Sequence, residues 1–490
     1  MRTAYGVETV RAAERELMAR LPEGELMRRA AAGLAAACCD LLPRVYGARV
    51  VLLVGSGDNG GDALYAGARL ARRGASVTAV LLKPDRTHRG GLAALRAAGG
   101  RAGPPAGSGK LIDRAHLVVD GIVGIGGRGG LRADAEPLAR SAQRSAARIV
   151  AVDLPSGVDA GSGEVTGPAV RADATVTFGA YKPGLLVDPG AAHAGALRLV
   201  DIGLGPYLPP RPELVAPQHA DVARLLPVPG AESDKYRRGV VGVVAGSARY
   251  PGAAVLAVAG ALRGGAGAVR YVGPGADAVI ARFPETLVHP GPPAEAGRVQ
   301  AWVIGPGLGD DPGGRQALEQ VLASSVPVLV DADALRLLER ERLRERTAQT
   351  LLTPHAGEAA ALLGVAREEA ESARLASVRR LAAEYGATVL LKGSTTLVAG
   401  ADGLVAGSEG PVLANPTGTG WLATAGSGDV LSGLAGSLLA AGLDAREAGA
   451  AAAYLHGLAG RFAAGRTPGP VSAMDVADRL SDAWREVHLS

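Results

Sequence analysis

Cysteine is almost absent from this chain of 490 residues, which contains only two. They are Cys38 and Cys39, which are adjacent in a stretch with helical periodicity. An ordinary disulfide between neighbouring residues is geometrically strained, and a metal site here would lack partners. The scarcity of cysteine therefore argues against a disulfide scaffold and favours a reducing, cytoplasmic location.

Long apolar runs are also missing, and no stretch approaches the roughly 18 apolar residues that a membrane-spanning helix requires. The small-residue segment 30–39 follows Arg28 and Arg29, much as the apolar core of a signal peptide follows its basic start. It begins late, however, behind several glutamates, and the leucines around it recur at the spacing of amphipathic helices. The sequence therefore predicts neither a membrane span nor a secretory signal.

A basic block interleaved with aromatic residues, the pattern of a nucleic-acid surface, is likewise lacking. Lys and Arg number 52 against 48 Asp and Glu, and aromatic residues make up 3%. The formal net charge of +4 thus reflects scattered arginines and no concentrated surface. We expect small-molecule substrates, no nucleic-acid partner, no membrane partner and a homo-oligomer.

The length of the chain is sufficient for two hydrophobic cores. At 490 residues it exceeds the roughly 250–300 residues at which a single core stops growing. Prolines cluster between residues 206 and 233, where they would interrupt helices and sheets. We therefore predict a first domain at 1–205, a joint at 206–233 and a second domain at 234–490.

The first domain contains a buried-strand pattern at 49–54, a glycine-rich turn at 55–62 and helical periodicity at 63–73. Strand, glycine turn and helix are the geometry of a dinucleotide-binding unit. The spacing is not Gly-x-Gly-x-x-Gly, and no clear acidic residue ends the next predicted strand, 76–82. These departures weaken the prediction of an oxidoreductase.

Polar residues end three further predicted strands of this domain, 117–120, 148–153 and 174–178. An open α/β sheet places its ligand outside the carboxyl ends of its strands. One strand-end aspartate is more often structural, but four polar residues at the same edge predict a site. The four are Asn59, Asp120, Asp153 and Ser156. Lys182 is interpreted as either a phosphate or charge partner or a solvated surface lysine.

The second domain repeats the alternation of strands and helices, which predicts a three-layer α/β domain with its site along one sheet edge. Its most informative stretch, 426–429, reads Gly-Ser-Gly-Asp and leads into an apolar, helix-like segment. Backbone N–H groups and the helix dipole would converge there on an anion. A carboxylate such as Asp429 can be a simple N-cap, but the flanking glycines also let a ligand approach the backbone.

Over roughly residues 1–205 the chain resembles the N-terminal epimerase domain of the NAD(P)H-hydrate repair enzymes. The likeness is carried by the loop Asn-Gly-Gly-Asp at 59–62, the strand end 120–126 and the turn Asp-Leu-Pro-Ser-Gly at 153–157. It implies that Asn59, Asp120 and Ser156 bind a potassium ion, K+, and that Asp153 is the catalytic acid/base. The residues implied to hold the hydrated dinucleotide are Asp58, Asn59, Gly60, Gly61, Asp62, Gly124, Ile125, Gly126, Gly127, Arg128, Gly129, Gly130, Leu131 and Asp153.

Two positions depart from that family's pattern. Asp58 stands where the family usually has Asn, and Ile125 stands where it often has Thr. An additional carboxylate beside a phosphate-bearing ligand is unfavourable unless it faces away or engages a hydroxyl.

Over roughly residues 234–489 the chain resembles the ribokinase-like, ADP- or ATP-dependent NAD(P)H-hydrate dehydratases. Six motifs follow one another in the family's order: Tyr-Pro-Gly-Ala-Ala, Gly-Pro-Gly-Leu-Gly, Asp-Ala-Asp-Ala-Leu, Thr-Pro-His-Ala-Gly-Glu, Leu-Lys-Gly and Gly-Ser-Gly-Asp. The likeness implies that Asp429 is the catalytic base. It implies contacts with the hydrated dinucleotide from Ala253, Gly307, His355 and Asp429. It implies contacts with the adenine nucleotide from Lys392, Gly393, Ser394, Thr395, Thr396 and Gly428.

Together the two resemblances imply a bifunctional metabolite-repair enzyme of α/β class. The first domain would be a Rossmann-like three-layer α/β/α unit that interconverts the R and S hydrates of NADH or NADPH. The second would be a ribokinase-like three-layer α/β/α unit that dehydrates the S hydrate with ADP, or ATP, and with Mg2+ on the nucleotide. The alternative is a ribokinase-like kinase of a sugar or vitamin, joined to a non-catalytic Rossmann-like binding domain.

Overall fold

The computed structural model describes residues 1–127, 129–309, 312–400 and 410–489 and divides into two compact units. The first unit is Thr3–Leu214, and the second comprises Met1–Arg2 and Val215–Ser490. The division falls inside the segment 206–233, and residues 215–233 are grouped with the second unit. Among the described residues, no helix is long and apolar enough to cross a bilayer.

Helices and strands alternate along the chain up to the division between the units. They are β1 (Arg2–Ala4), α1 (Val7–Met18), α2 (Glu25–Leu41), β2 (Arg49–Val54), α3 (Asp58–Arg72), β3 (Ser76–Leu81), α4 (Arg89–Ala97), β4 (Arg101–Gly103), α5 (Gly109–Asp113), β5 (Leu117–Gly121), α6 (Glu136–Arg144), β6 (Arg148–Val152), β7 (Ala174–Phe178), α7 (Ala191–Ala194), β8 (Ala196–Val200) and β9 (Leu214–Ala216).

The sheet of the first unit has the order β4-β3-β2-β5-β6-β7-β8, with parallel neighbours throughout. The apolar run of β2 is buried on both faces: Leu52 belongs to one hydrophobic cluster, and Val51 and Leu53 belong to another. The chain runs outward from β2 to β4 and returns at β5, which creates a switch point between β2 and β5. Such a point is where an open sheet binds its ligand.

The second unit continues the alternation. Its elements are α8 (His219–Leu225), β10 (Val240–Val244), α9 (Pro251–Arg263), β11 (Ala268–Val272), α10 (Ala276–Arg282), β12 (Leu287–His289), β13 (Ala301–Ile304), α11 (Pro312–Leu322), β14 (Val328–Val330), α12 (Arg340–Arg344), β15 (Thr350–Leu352), α13 (Ala356–Leu363), α14 (Arg367–Ser372), α15 (Arg374–Tyr385), β16 (Thr388–Leu391), β17 (Thr396–Ala399), β18 (Val412–Asn415), α16 (Ser427–Ala440), α17 (Ala445–Ala464), α18 (Ala473–Asp478) and α19 (Leu480–Leu489).

The sheet of the second unit runs β9-β18-β17-β16-β15-β14-β13-β10-β11-β12. Strands β10 to β16 are parallel to their neighbours, and β17 and β18 form an antiparallel extension. The switch point lies between β10 and β13, because the chain leaves β10 for β11 and β12 and then returns. The two predicted three-layer α/β folds are confirmed.

Helix α16 is fixed by very close packing against α9. A Cβ atom on Gly433 would lie 1.9 Å from the carbonyl oxygen of Ala257, and one on Gly260 would lie 2.1 Å from that of Val430. The two helices therefore approach through glycine on both sides. This contact sets the position of the first turn of α16, which carries Asp429.

Both cysteines are free, as their spacing predicted. Cys38 is buried in α2, and its burial beside Cys39 raises the pKa of its thiol to about 12. A buried thiol of this kind is a poor nucleophile at neutral pH.

Candidate active sites

A cavity of about 1110 Å³ opens at the switch point of the first unit. This volume is just above the roughly 300–1,000 Å³ of ordinary small-molecule sites, as a dinucleotide would need. Seven of the predicted site residues line it: Asp58, Asn59, Asp62, Gly124, Ile125, Gly126 and Asp153. Gly60, Gly61, Gly127, Gly129, Gly130 and Leu131 lie outside its wall, and Arg128 lies outside the described residues.

Helix α3 begins at Asp58, five residues before the predicted helical periodicity. The glycines in its first turn allow this start, because α3 passes very close to the turn after β2. A Cβ atom on Gly60 would lie 2.4 Å from the carbonyl oxygen of Gly55. Asp58 and Asn59 are thus the first residues of a helix, where backbone N–H groups lack partners within the helix, and both line the cavity.

Asp120 and Ser156 are in direct contact beneath this cavity. The Ser156 hydroxyl donates to Asp120 Oδ1 at 2.7 Å, and the Ser156 backbone N–H donates to Asp120 Oδ2 at 2.8 Å. Asp120 is fully buried, and burial raises the pKa of its carboxyl to about 6 in spite of these hydrogen bonds and one from the Ile122 backbone. The Val123 carbonyl oxygen lies 3.2 Å from Ser156 Oγ and adds an oxygen that the sequence did not predict.

Asn59, the third predicted ion ligand, bonds to neither of these residues. Its Nδ2 donates to the Val152 carbonyl at 2.5 Å. Its carboxamide also lies against Gly124, since a Cβ atom there would be 2.3 Å from Asn59 Oδ1. Asn59 therefore ties α3 to the end of β6 and to the loop after β5.

Asp153 follows β6 in a left-handed backbone conformation, with φ of +66°. Such a conformation is costly for a residue other than glycine and occurs preferentially at functional sites. Its Oδ1 accepts from Lys182 Nζ at 2.5 Å and from the Thr177 hydroxyl at 2.9 Å. Lys182 is only 1% exposed, so that the alternative of a solvated surface lysine is wrong. The two residues form a buried ion pair on the cavity wall.

Asp62 is a second buried carboxyl in the same cavity, and its Oδ1 has no hydrogen-bond partner. Burial raises its pKa well above the ordinary range, and the carboxylates of Asp153, Asp58 and Glu14 raise it further. Glu14, on α1, also lines the cavity and was not predicted from the sequence. The first unit thus gathers four carboxyl groups around one buried lysine.

In the second unit, Asp429 lies in the first turn of α16, behind Gly426, which has φ of +84°. Burial, followed by the nearby Asp331 carboxylate, raises the pKa of Asp429 to about 7, although Lys392 acts in the opposite direction. A carboxyl group with this pKa is suited to accept a proton at neutral pH.

Lys392, at the end of β16, is held by two acidic residues from neighbouring strand ends. Its Nζ lies 2.8 Å from Asp331 Oδ1 and 3.8 Å from Glu358 Oε2. Burial lowers the pKa of Lys392, but these two carboxylates outweigh it and the net shift is upward. Gly428 is beside it, since a Cβ atom there would be 3.5 Å from Lys392 Nζ. The predicted nucleotide residues on β16 and α16 are therefore neighbours.

His355 and Gly307 occupy two other strand ends of this sheet edge. His355 caps α13, because its Nδ1 accepts from the Glu358 backbone N–H at 3.1 Å. Gly307 adopts φ of +64°, and a Cβ atom on it would lie 2.6 Å from the Cβ of Ala253. The structure thus brings Gly307 and Ala253 together, whereas His355 lies on the side of Lys392.

The loop 392–396 is organised by Arg374, which the sequence did not predict. This buried arginine, at the start of α15, donates to the carbonyl oxygens of Lys392 at 3.1 Å and Thr395 at 3.0 Å. Its guanidinium also lies where a side chain on Gly393 would be, at 2.3 Å from that Cβ position. Thr395 is buried, whereas Gly393 and Ser394 are exposed.

Two family models match the chain. One, described as NAD(P)H-hydrate dehydratase, matches residues 241–481, and the other, described as YjeF-related protein N-terminus, matches residues 23–184. The bifunctional NAD(P)H-hydrate repair enzyme of Mycobacterium tuberculosis (strain ATCC 25618 / H37Rv) is 49% identical over 456 residues, 92% of each chain. That of Mycobacterium leprae (strain TN) is 48% identical over 486 residues, 98% of each chain.

A solved structure is similar to the second unit. It is the ADP/ATP-dependent NAD(P)H-hydrate dehydratase from Bacillus subtilis, co-crystallized with ATP/Mg2+. The two sequences are 31% identical, the TM-score is 0.50, and the match covers 55% of this chain and 97% of that one.

Replacement of Lys182 by Met should strongly destabilise the first unit. The Asp153 carboxylate would remain buried without its cation, which costs about 3–5 kcal/mol of unfolding free energy. Hydrogen exchange of the β6 and β7 amides in the full chain measures this loss. Arg148→Met is the control, because its 2.7 Å pair with Asp173 is formed by an arginine side chain that is 65% exposed. That variant should lose about 1 kcal/mol or less, and equal losses in the two variants would contradict the prediction.

The Asp429→Asn substitution should stabilise the folded chain relative to the wild type, and by more as the pH rises. The pKa of Asp429 is about 7 in the folded chain against an ordinary 3.8. Folding therefore favours the protonated form, and the wild type loses stability between about pH 4 and pH 7. The difference in melting temperature between variant and wild type should grow over this range and then level off. Asp478→Asn, at a side chain that is 48% exposed, is the control and should show no such trend.

Proposed function

We propose a function from one premise, namely that the chain belongs to the family of bifunctional NAD(P)H-hydrate repair enzymes. Its first unit interconverts the R and S hydrates of NADH and NADPH, and its second unit dehydrates the S hydrate with an adenine nucleotide. The observation that carries this proposal is the first turn of α16, where Asp429, with a pKa of about 7, lies near Lys392. A phosphoryl-transfer site needs such a base beside cationic and backbone donors.

The second unit phosphorylates the ring hydroxyl, which is a poor leaving group, so that phosphate, a good leaving group, can depart in its place. Asp429 accepts the proton of the ring hydroxyl, whose oxygen attacks the terminal phosphorus of the nucleotide as the bond to the nucleotide oxygen breaks. Backbone N–H groups at the start of α16 and the ammonium of Lys392 stabilise the charge on the phosphoryl group. Phosphate then leaves with help from the lone pair of the ring nitrogen, and loss of a proton from the adjacent carbon restores the double bond.

The remaining second-unit residues position the two substrates. We assign Ala253, Gly307, His355 and Asp429 to the hydrated dinucleotide, with His355 on the side of Lys392. Lys392 to Thr396 with Gly428 hold the nucleotide. The contact of Gly307 with Ala253, and that of Gly428 with Lys392, support this division. The ion pair of Lys392 with Asp331 fixes the ammonium before the nucleotide arrives, which reduces the entropy lost on binding.

In the first unit we assign Asp153 as the acid/base of epimerisation. It lines the cavity, and all the hydrogen bonds described for its side chain end on Oδ1, so that Oδ2 is left for the ligand. The start of α3 and the loop 124–126 hold the dinucleotide around it. The additional carboxylate of Asp58 is compatible with this assignment if it engages a hydroxyl of the ligand.

Potassium fits the oxygen atoms beneath the cavity. Asp120 and Ser156 are in contact, the Val123 carbonyl is close to Ser156, and Asn59 lies against the same loop. One carboxylate among neutral oxygens suits a hard monovalent cation, and K+ would supply a fixed positive charge that stabilises the loop after β5.

Magnesium is a different case, because no cluster of three or more His, Cys, Asp or Glu within the described ranges could hold a metal ion. We therefore propose that Mg2+ binds mainly through the nucleotide phosphates, as is usual for this ion. A cytoplasmic location and a homo-oligomeric state stay predictions.

The two reactions should separate by mutation, because Asp153 and Asp429 belong to different units. Asp429→Asn removes a proton acceptor, so that nucleotide-dependent dehydration should fall by roughly 10²–10⁴ while the epimers still interconvert. Asp153→Asn should leave dehydration of the S hydrate intact and let the R hydrate accumulate, apart from slow spontaneous interconversion. Chromatography of purified hydrate epimers after incubation with each variant measures both reactions.

Loss of both activities in one well-folded variant would contradict the assignment of one base to each unit. A stable phosphorylated product, with no return of NADH absorbance, would instead indicate the alternative, a small-molecule kinase with a non-catalytic first unit.

Replacement of potassium by a smaller or larger monovalent ion should slow epimerisation and change dehydration of the S hydrate much less. Asp120→Asn and Asp120→Ala should mimic removal of the ion and abolish the dependence of the first unit's melting temperature on potassium concentration. The wild type should melt higher as potassium rises, since an ion that binds only the folded state stabilises it. An ion-independent rate and melting temperature in the wild type would leave Asp120 as a structural residue.

The phosphate donor that we propose is ADP, with ATP a poorer substitute. The proposal comes from the two-domain arrangement, which is typical of bacterial, ADP-dependent members of the family. Initial dehydration rates at equal concentrations of the two donors, each with Mg2+, test it directly. A clear preference for ATP would refute it, and the Bacillus relative co-crystallized with ATP/Mg2+ makes this comparison necessary.

A further inference from the structure

Helix α1 supplies one wall of the first unit's cavity, although it precedes residues 23–184, which the YjeF-related family model matches. Arg11, Glu14 and Met18 line the cavity at a spacing of three and four residues, which places them on one helical face. The Arg11 guanidinium lies against Gly126, 3.2 Å from the position that a Cβ would take there. Helix α1 therefore lies over the loop after β5 and holds Glu14 beside the proposed substrate space.

No contact in the described part of the chain indicates that Glu14 stabilises the fold. Its carboxyl makes no hydrogen bond or ion pair in the described part of the chain, although the side chain is half-buried. Asp62, across the cavity on α3, is also buried with an unpartnered Oδ1. The buried, unpartnered Asp62 Oδ1 on the wall of this cavity indicates that a polar ligand completes its bonding, and the Glu14 carboxyl lines the same cavity.

Charged groups from four elements surround the Glu14 carboxyl. They are Arg11 on α1, Asp58 and Asp62 on α3, Asp153 after β6 and Lys182 after β7. Burial raises the pKa of Glu14, and the Asp153 and Asp58 carboxylates add to this effect against Lys182 and Arg11. Asp153, in contrast, is paired directly with the buried Lys182. Two carboxyl groups that line one cavity, one without an ion-pair partner among the described residues and the other paired with a lysine, are suited to the two roles of an acid and base pair.

We propose that Glu14 is the second catalytic group of the epimerisation, acting as the acid opposite Asp153 as the base. This inference rests on the proposed function of the first unit. Inversion of the carbon that carries the hydroxyl requires one group to give a proton and another to take one on the opposite face of the ring.

The proposed epimerisation needs no reactant other than water. Glu14 gives its proton to the hydroxyl oxygen, the carbon–oxygen bond breaks, and its electron pair leaves with water as the ring nitrogen lone pair forms a carbon–nitrogen double bond. A water then attacks the other face of the planar carbon and gives its proton to Asp153. One water leaves, one adds, and one proton moves from Glu14 to Asp153. Exchange with solvent restores the starting state, and the reverse reaction exchanges the two roles.

The test is Glu14→Gln in the full chain, assayed by epimer interconversion and by dehydration of the S hydrate. Epimerisation should fall by roughly 10²–10⁴ in kcat, with KM little changed and dehydration unaffected. The pH profile should lose its decline at high pH, which in this proposal reports the protonated Glu14, while its low-pH limb should be unchanged. A merely structural glutamate would not remove one limb of the profile.

The matched control is Glu16→Gln, the same change on the same helix at a side chain that is 56% exposed and paired with Arg20. It should keep the wild-type rate and pH profile.

If Glu14→Gln fails to fold, Glu14→Asp replaces it and should lower the rate while keeping both limbs of the pH profile. An active wild type with an unchanged Glu14→Gln, or an unchanged Glu14→Asp, would overturn the inference. A wild type that does not interconvert the epimers would instead refute the proposed function of the first unit.

Discussion

Both candidate sites depend on carboxylates that lose their water at the carboxyl ends of parallel strands. A parallel sheet aligns these ends along one edge, so that every strand places its last polar residues in the same region. In the first unit this edge collects Asp120 and Asp153, and in the second it collects Asp331. Burial of several negative groups in one place is unfavourable unless cations, hydrogen bonds or bound protons offset their charge. The two units differ in which of these they use.

In the first unit, a buried lysine offsets the charge of the Asp153 carboxylate. Lys182 pairs with Asp153 and bonds in addition to Thr177 and to the Phe178 carbonyl, which fixes the direction of the Asp153 carboxyl group. Burial and neighbouring carboxylates raise the pKa values of the nearby Asp62 and Glu14 carboxyls, which favours their protonated forms. One cavity thus contains a carboxyl group paired with a lysine and carboxyl groups without such a partner among the described residues, which is the asymmetry that the proposed acid and base chemistry on the two faces of one ring requires.

The sequence was sufficient to predict the two folds and the strand-end residues. Buried parallel strands are continuous apolar runs, and glycine or polar residues mark their ends, so that Asp120, Asp153 and Lys392 could be placed at a sheet edge without coordinates. The Gly-Ser-Gly-Asp turn was predictable for a related reason, because glycines directly before an apolar helix indicate a tight turn with an open backbone.

Tertiary contacts account for what the sequence did not predict. Glycine disfavours helices by about 1 kcal/mol, so that Gly60 and Gly61 argued against a helix that begins at Asp58, yet the close approach of Gly55 overrides that preference. Lys182 and Arg374 are ordinary basic residues until the fold buries them against partners distant in sequence.

In the second unit, the negative charge of Asp429 is only partly offset by the nearby Lys392. Lys392 is shared between Asp331 and Glu358, so that Asp429 receives less of its charge and is poised between protonated and ionised states. In the function proposed above, an incoming nucleotide would change this balance, because its phosphates would compete for Lys392 and for the N–H groups of α16. The added negative charge holds the proton on Asp429 more firmly unless a cation accompanies the phosphates. A magnesium ion carried in by the nucleotide would therefore have two effects, since it would neutralise the phosphates and would also keep Asp429 ionised when the hydroxyl must give up its proton.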